Sequence, residues 1–184
     1  EARIGPHVVV GLSVGGVIGA AYAAARPKGL AGLVLSNTAA RVGNDDVWSG
    51  RIAAVREGGL AGIADQVMER WFSADYRSRA PVPLAGLRTM LKRQDPAGYI
   101  AICEMLRTVD LRRDVPEIAV PTLCVAGSAD LSTPPDVMED TARRIPGASL
   151  TTIEGVGHIP CVEASGAFVE RLVTFLARHG LLSR

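Results

Sequence analysis

A chain of 184 residues with 48% hydrophobic and 21% charged residues is long enough for one domain with a core and too apolar for disorder. Its formal net charge is +1, without a Lys/Arg run or a Cys/His cluster, which argues against nucleic acid and acidic surfaces as partners. Cys103, Cys124 and Cys161 are odd in number and lack metal-ligand spacing, so a reduced, cytoplasmic protein is the simplest expectation.

The chain starts with Glu1 rather than Met, and residues 1–7 have no signal-peptide form. Residues 7–12 (HVVVGL) are short and rich in β-branched Val, as in a buried parallel strand. Residues 14–26 are a helix of small residues ending before Pro27. Residues 32–37 (GLVLSN) read as a second buried strand. From 44 to 108 no convincing strand follows. Leu60, Ile63, Val67 and Trp71 recur at helical spacing, and 52–56, 84–92 and 97–106 also suit helices, with Asp95-Pro96 as a helix start. Residues 121–127 (PTLCVAG) and 148–155 (ASLTTIEG) are the third and fourth strands, with a helix near 134–145 between them. Phe168, Leu172, Phe175 and Leu176 mark a last amphipathic helix stopped near Gly180. Strands alternating with helices imply a parallel α/β sheet. The helical insert is too long for a connecting loop and is read as a cap. The expected division is a core part at 1–43, a helical cap at 44–110, and a second core part at 111–184.

Val8 to Ala25 is uncharged and nearly long enough to span a membrane, and Gly11, Gly15 and Gly19 even have the spacing of helix dimers in lipid. A different pattern within it decides against that reading. Gly11-Leu12-Ser13-Val14-Gly15 fits G-x-S-x-G between a strand and a helix, the context of a nucleophile elbow. The strand must turn sharply, so the positions two before and two after the serine are expected to be small. The helix start then offers the Val14 N–H to a developing oxyanion. A serine nucleophile needs a base, and the base needs an orienting acid. His7 precedes the first strand, at the wrong sheet edge, and His179 lies in the last turn of the final helix. His158, in EGVGHIP, follows the fourth strand at the same edge as Ser13. Asp130, in VAGSADLSTPP, follows the third strand, with Asp110 or Asp136 as substitutes. Ser13, Asp130 and His158 thus each lie just beyond a strand's carboxyl end, where α/β sheets place their sites. Cys161 is near His158 but lacks an elbow and is read as a bystander.

With these residues in place, the sequence resembles the α/β-hydrolase superfamily, and most of all the 3-oxoadipate enol-lactonases of bacterial aromatic catabolism. The resemblance rests on VVVGLSVGG, LVLSNTAARVG, MERWF, VAGSADLSTPP and GVGHIPCVEASGAF and runs along nearly the whole chain. It implies hydrolysis of 3-oxoadipate enol-lactone to 3-oxoadipate in the protocatechuate (β-ketoadipate) pathway, without metal or cofactor. The substrate would be a small lactone or ester. Because that lactone carries a free carboxylate, a cation should stand in its pocket, and Arg41, just after the second strand, is the first candidate beside the alternative of a solvated surface residue. Trp48 and Trp71 could line the cap side, with core packing an equal alternative for Trp71.

The resemblance departs at the beginning, since the family has strands ahead of the elbow strand. A very apolar strand at 7–12 would then be an open edge. The expectation is that this is the C-terminal portion of a hydrolase, with an N-terminal segment present as a second chain or missing. Other readings are an esterase or cofactor-free haloperoxidase-like enzyme on the same fold, or a non-catalytic hydrolase fragment.

Overall fold

The computed structural model describes residues 5–182. Among them, four strands form one parallel sheet in the order β1-β2-β3-β4: β1 His7–Leu12, β2 Leu30–Ser36, β3 Thr122–Gly127 and β4 Ser149–Ile153. The strands are short apolar runs, and their two-residue period sends side chains to both faces. Leu33, Leu35, Cys124 and Ala126 enter one core with Val17 and Ala20 of helix α1 (Val14–Ala24) and Met138 and Ala142 of α6 (Pro135–Arg144). Val34, Leu123, Val125 and Ile153 enter a second core on the opposite face. Phe168 and Phe175 of α8 (Ser165–Arg178) cover it. The sheet is therefore the middle layer of three.

Between β2 and β3 the chain leaves the sheet and stays helical: α2 Asp45–Trp71, α3 Ala74–Arg79, α4 Pro81–Lys92 and α5 Pro96–Thr108. Asn44 caps α2 by accepting from the Val47 N–H, and Asp95 caps α5 through the Ala97 and Gly98 N–H groups. A break at Gly59, with φ 62°, divides α2. Val55, Leu60, Ile63, Val67, Phe72, Tyr76 and Leu91 give these helices a core of their own. A short 3₁₀ turn, Val115–Glu117, leads back into β3, and a one-turn helix, α7 Pro160–Glu163, follows β4.

The strands expected at 7–12, 32–37, 121–127 and 148–155 are all present; the first keeps its ends, and the ends of the others move by at most two residues. Helix α1 stops at Ala24, because Arg26 takes a left-handed φ of 51° before Pro27. The helices α3 and α7 are additions to the expected elements; each is too short for its apolar spacing to stand out. Strand β1 is the terminal strand of the described sheet, and Val10 on it is 49% exposed.

Candidate active site

The register of the sheet brings three loops together. Leu12 pairs with Ser36, Ser36 with Val125, and Gly127 with Ile153, so the carboxyl ends of all four strands lie along one edge. The Ser13 N–H donates to the Ser36 carbonyl, and the Asn37 N–H to the Val125 carbonyl, each at 2.9 Å. Sheet pairing thus runs right up to the residues of interest.

Ser13 sits between β1 and α1 with φ 53° and ψ −119°, a strained backbone for a residue with a side chain. This tight turn forces close approach of strand and helix. A Cβ on Gly11 would collide with the carbonyl group of Gly15. The expectation that Gly15 must also be small for lack of space is corrected: a Cβ there would meet nothing within 4 Å. The crowded helix position is Gly16, whose Cβ would lie 2.5 Å from the Thr38 methyl. Val14 opens the helix directly after the serine.

Ser13 Oγ lies 2.8 Å from His158 Nε2, and His158 Nδ1 lies 2.8 Å from Asp130 Oδ2. An ionised carboxylate only accepts, so Nδ1 carries the proton and Nε2 accepts from the serine hydroxyl. Asp130 and His158 are both buried, with 2% and 3% of their surfaces exposed. Burial opposes ionisation of Asp130. It is outweighed by hydrogen bonds from His158, Asn37 and Thr133, which hold the carboxyl below its ordinary value. Five donors in all meet this carboxylate: Ser132 N, Thr133 N and Oγ1, Asn37 Nδ2 and His158 Nδ1.

Of the substitutes for the acid, Asp110 is held by Arg112 and Arg41, which lower its pKa, and Asp136 lies in the first turn of α6. His7 bonds Gly5 and Tyr22 instead, and the His179 ring packs at a tilt against Phe175. Burial pushes the Cys124 thiol up to about 12 and also raises Cys103 and Cys161. None of the three is therefore primed as a nucleophile.

A cavity of about 860 Å³ opens over Ser13, between the sheet edge and the helices α2 and α5. Ser13, Val14, Thr133 and His158 line its floor; Trp48 and Trp71 are in its wall. Trp48 is fixed by donating to the Val42 carbonyl at 2.7 Å. Trp71 stands over His158 with ring centres 6.3 Å apart, and its carbonyl accepts the His158 N–H at 2.8 Å. Arg41 does not line this cavity; its guanidinium is paired with Asp110 at 3.1 Å. The cations that do line it are Arg51 and Arg70 on α2. A second cavity, about 470 Å³, lies between β1 and the end of α8, and of the three histidines it contains only His7.

Sequence reasoning missed Asn37, Thr133, Glu163 and Arg51. Asn37 follows β2 at the same edge as the other three loops, which is the signal that could have found it. Its amide donates both to Asp130 and to the Gly157 carbonyl. Thr133 lies three residues after Asp130, the spacing of a side chain satisfying its own turn. Arg51 is one helical turn beyond Trp48.

Among the described residues no group of three or more His, Cys, Asp or Glu side chains is placed to hold a metal ion. Nor is any helix there long and apolar enough to cross a membrane.

Comparison with known proteins agrees with this architecture. Residues 1–165 match the Hydrolase_4 family, described as serine aminopeptidase, S33. The chain is 32% identical over 158 residues to 3-oxoadipate enol-lactonase 2 of Acinetobacter baylyi, covering 86% of this chain and 59% of that protein. It is 30% identical over 181 residues to the pimeloyl-[acyl-carrier protein] methyl ester esterase of Xanthomonas axonopodis, covering 94% of this chain and 71% of the relative. The crystal structure of the enol-lactonase from Burkholderia xenovorans LB400 superposes with a TM-score of 0.88 at 35% identity, covering 96% of this chain and 76% of that one. The chain thus spans about three-fifths of the Acinetobacter relative. With sheet order, elbow and family match in agreement, the chain belongs to the α/β-hydrolase family.

Proposed function

We propose that this chain carries the nucleophile, base and acid of a serine hydrolase that opens 3-oxoadipate enol-lactone to 3-oxoadipate in aromatic catabolism. The observation that carries the reading is the continuous hydrogen-bonded line Ser13–His158–Asp130 opening onto the cavity. Ser13 Oγ attacks the lactone carbonyl while His158 Nε2 takes its proton. Asp130 keeps the imidazole in the required tautomer and stabilises the cation that forms. The Val14 N–H, at the start of α1, supports the developing oxyanion. Ring opening expels an enolate, which takes the His158 proton and becomes the ketone. A water molecule then gives its proton to His158 and attacks the acyl-enzyme. Its collapse releases the acid and returns the proton to Ser13. The helices α2–α5 serve as the cap, and Trp48 and Trp71 pack against the substrate.

The substitution Ser13→Ala tests this. Turnover of the enol-lactone should fall on the order of 10⁴-fold or more, with an unchanged circular dichroism spectrum. Undiminished hydrolysis would remove Ser13 from the mechanism. A second reading, hydrolysis of a simple carboxylic ester, is favoured by the methyl ester esterase relative, which matches over more of its own length. Rates on the lactone and on methyl and aryl esters, measured side by side, separate the two.

A further inference from the structure

The cavity over Ser13 has mostly apolar walls and few charges. Its charged lining residues are Arg51, Arg70 and Asp95. Asp95 is occupied, since its oxygens accept from the Ala97 and Gly98 N–H groups at 3.2 and 2.9 Å. Arg70 is tethered to the loop after β3, donating from Nη2 to the Leu131 carbonyl at 2.6 Å. Arg51 differs from both. Among the described residues it forms no ion pair, while Arg41, Arg56, Arg88 and Arg107 of this chain each have a carboxylate. It is half-buried, and follows Trp48 by three residues on α2. Positions 48, 51 and 54 therefore share the helix face that lines the cavity. Across from it on α5 is Tyr99. Both residues line the cavity; burial raises the Tyr99 phenol, and the Arg51 guanidinium acts against that rise.

A guanidinium that is partly desolvated and lacks an ion partner is suited to a bidentate carboxylate contact. In a mainly apolar lining a half-buried guanidinium is only partly solvated, so an incoming carboxylate is stabilised there. We propose that Arg51 anchors a carboxylate on the substrate, so that the cavity selects mono-anionic esters or lactones over neutral ones of the same length. This rests on the hydrolase reading of Ser13, not on the identity of the lactone. It also relocates the cation from Arg41, whose guanidinium is occupied by Asp110 outside the cavity wall.

The test compares an aryl monoester of adipic acid with the aryl ester of hexanoic acid. The natural protein should favour the anionic ester. The substitution Arg51→Gln should lower the anionic-to-neutral ratio of kcat/KM on the order of tenfold, chiefly through KM, and Arg51→Lys should recover part of it. Arg41→Gln should leave the ratio where it is. Calorimetric binding of adipate reads the same contact without turnover, and should weaken on the order of tenfold in Arg51→Gln. An unchanged ratio and unchanged adipate affinity in Arg51→Gln, or a natural preference for the neutral ester, would overturn the proposal. If the ratio shifts while the enol-lactone is not hydrolysed, the lactone reading alone fails.

Discussion

At the scale of single residues, Asp130 is the most heavily committed side chain of the site. Its carboxylate is removed from water, yet both of its oxygens meet donors. Asn37 is the least expected of these donors. It holds a left-handed φ of 46°, which Asn tolerates better than most residues, and its amide ties Asp130 to the loop that carries His158. Because the folded-state pKa of Asp130 is lowered, its ionised form stabilises the fold. That contribution is complete above the ordinary carboxylate value and is lost as the pH falls below it, through the lowered folded value. Asp130→Asn should therefore flatten the acid limb of a plot of Tm against pH. An acid limb identical to that of the natural protein would show that other carboxylates control it. The substitution also tests the candidate site, since an amide cannot hold the same imidazole tautomer.

Between elements, the histidine loop is fastened to the helical segment rather than only to the sheet. The His158 N–H reaches the Trp71 carbonyl at the end of α2. Glu163 on α7 completes the joint. Its carboxylate accepts from the Gly157 N–H at 3.1 Å, from the Ser73 N–H at 3.3 Å and from the Ser73 hydroxyl. It is only 6% exposed, so water cannot replace these donors. Replacing Glu163 by Gln substitutes a donor for one acceptor oxygen and should cost about 1–3 kcal/mol in urea unfolding. A midpoint equal to that of the natural protein would show that the joint contributes nothing. The same joint explains why the His158 loop can be irregular in sequence and still present its ring at one fixed place. Backbone and carboxylate contacts, not a regular element, hold it.

For the whole molecule, the sheet order decides which surfaces are covered. β2 and β3 are enclosed by neighbours, and α1, α6 and α8 cover the two faces. β1 has a neighbour on one side only among the described residues, and its Val10 is half exposed. An apolar edge strand is a template for pairing with another chain. The described segment prepared alone should therefore self-associate with rising concentration, and Val10→Lys should reduce this in light scattering. Association unaffected by the substitution would place the contact elsewhere.

Much of the fold and of the candidate site is legible in the sequence itself. Short unbroken apolar runs mark strands buried on both faces, and a glycine-flanked serine between strand and helix marks the turn, because both are local consequences of backbone geometry. Chain order then assigns Ser13, Asp130 and His158 to one sheet edge. What tertiary structure alone decides are contacts between residues far apart in sequence. Asn37 meets Asp130 across 93 positions, and Glu163 meets Ser73 across 90. Arg41 and Arg51 look alike as isolated cations. Only the packing of α2 against α5, and the presence of Asp110 beside Arg41, put one in the cavity wall and the other in an ion pair. Local periodicity determines which elements form, but the partner of a charge is chosen by the path of the whole chain.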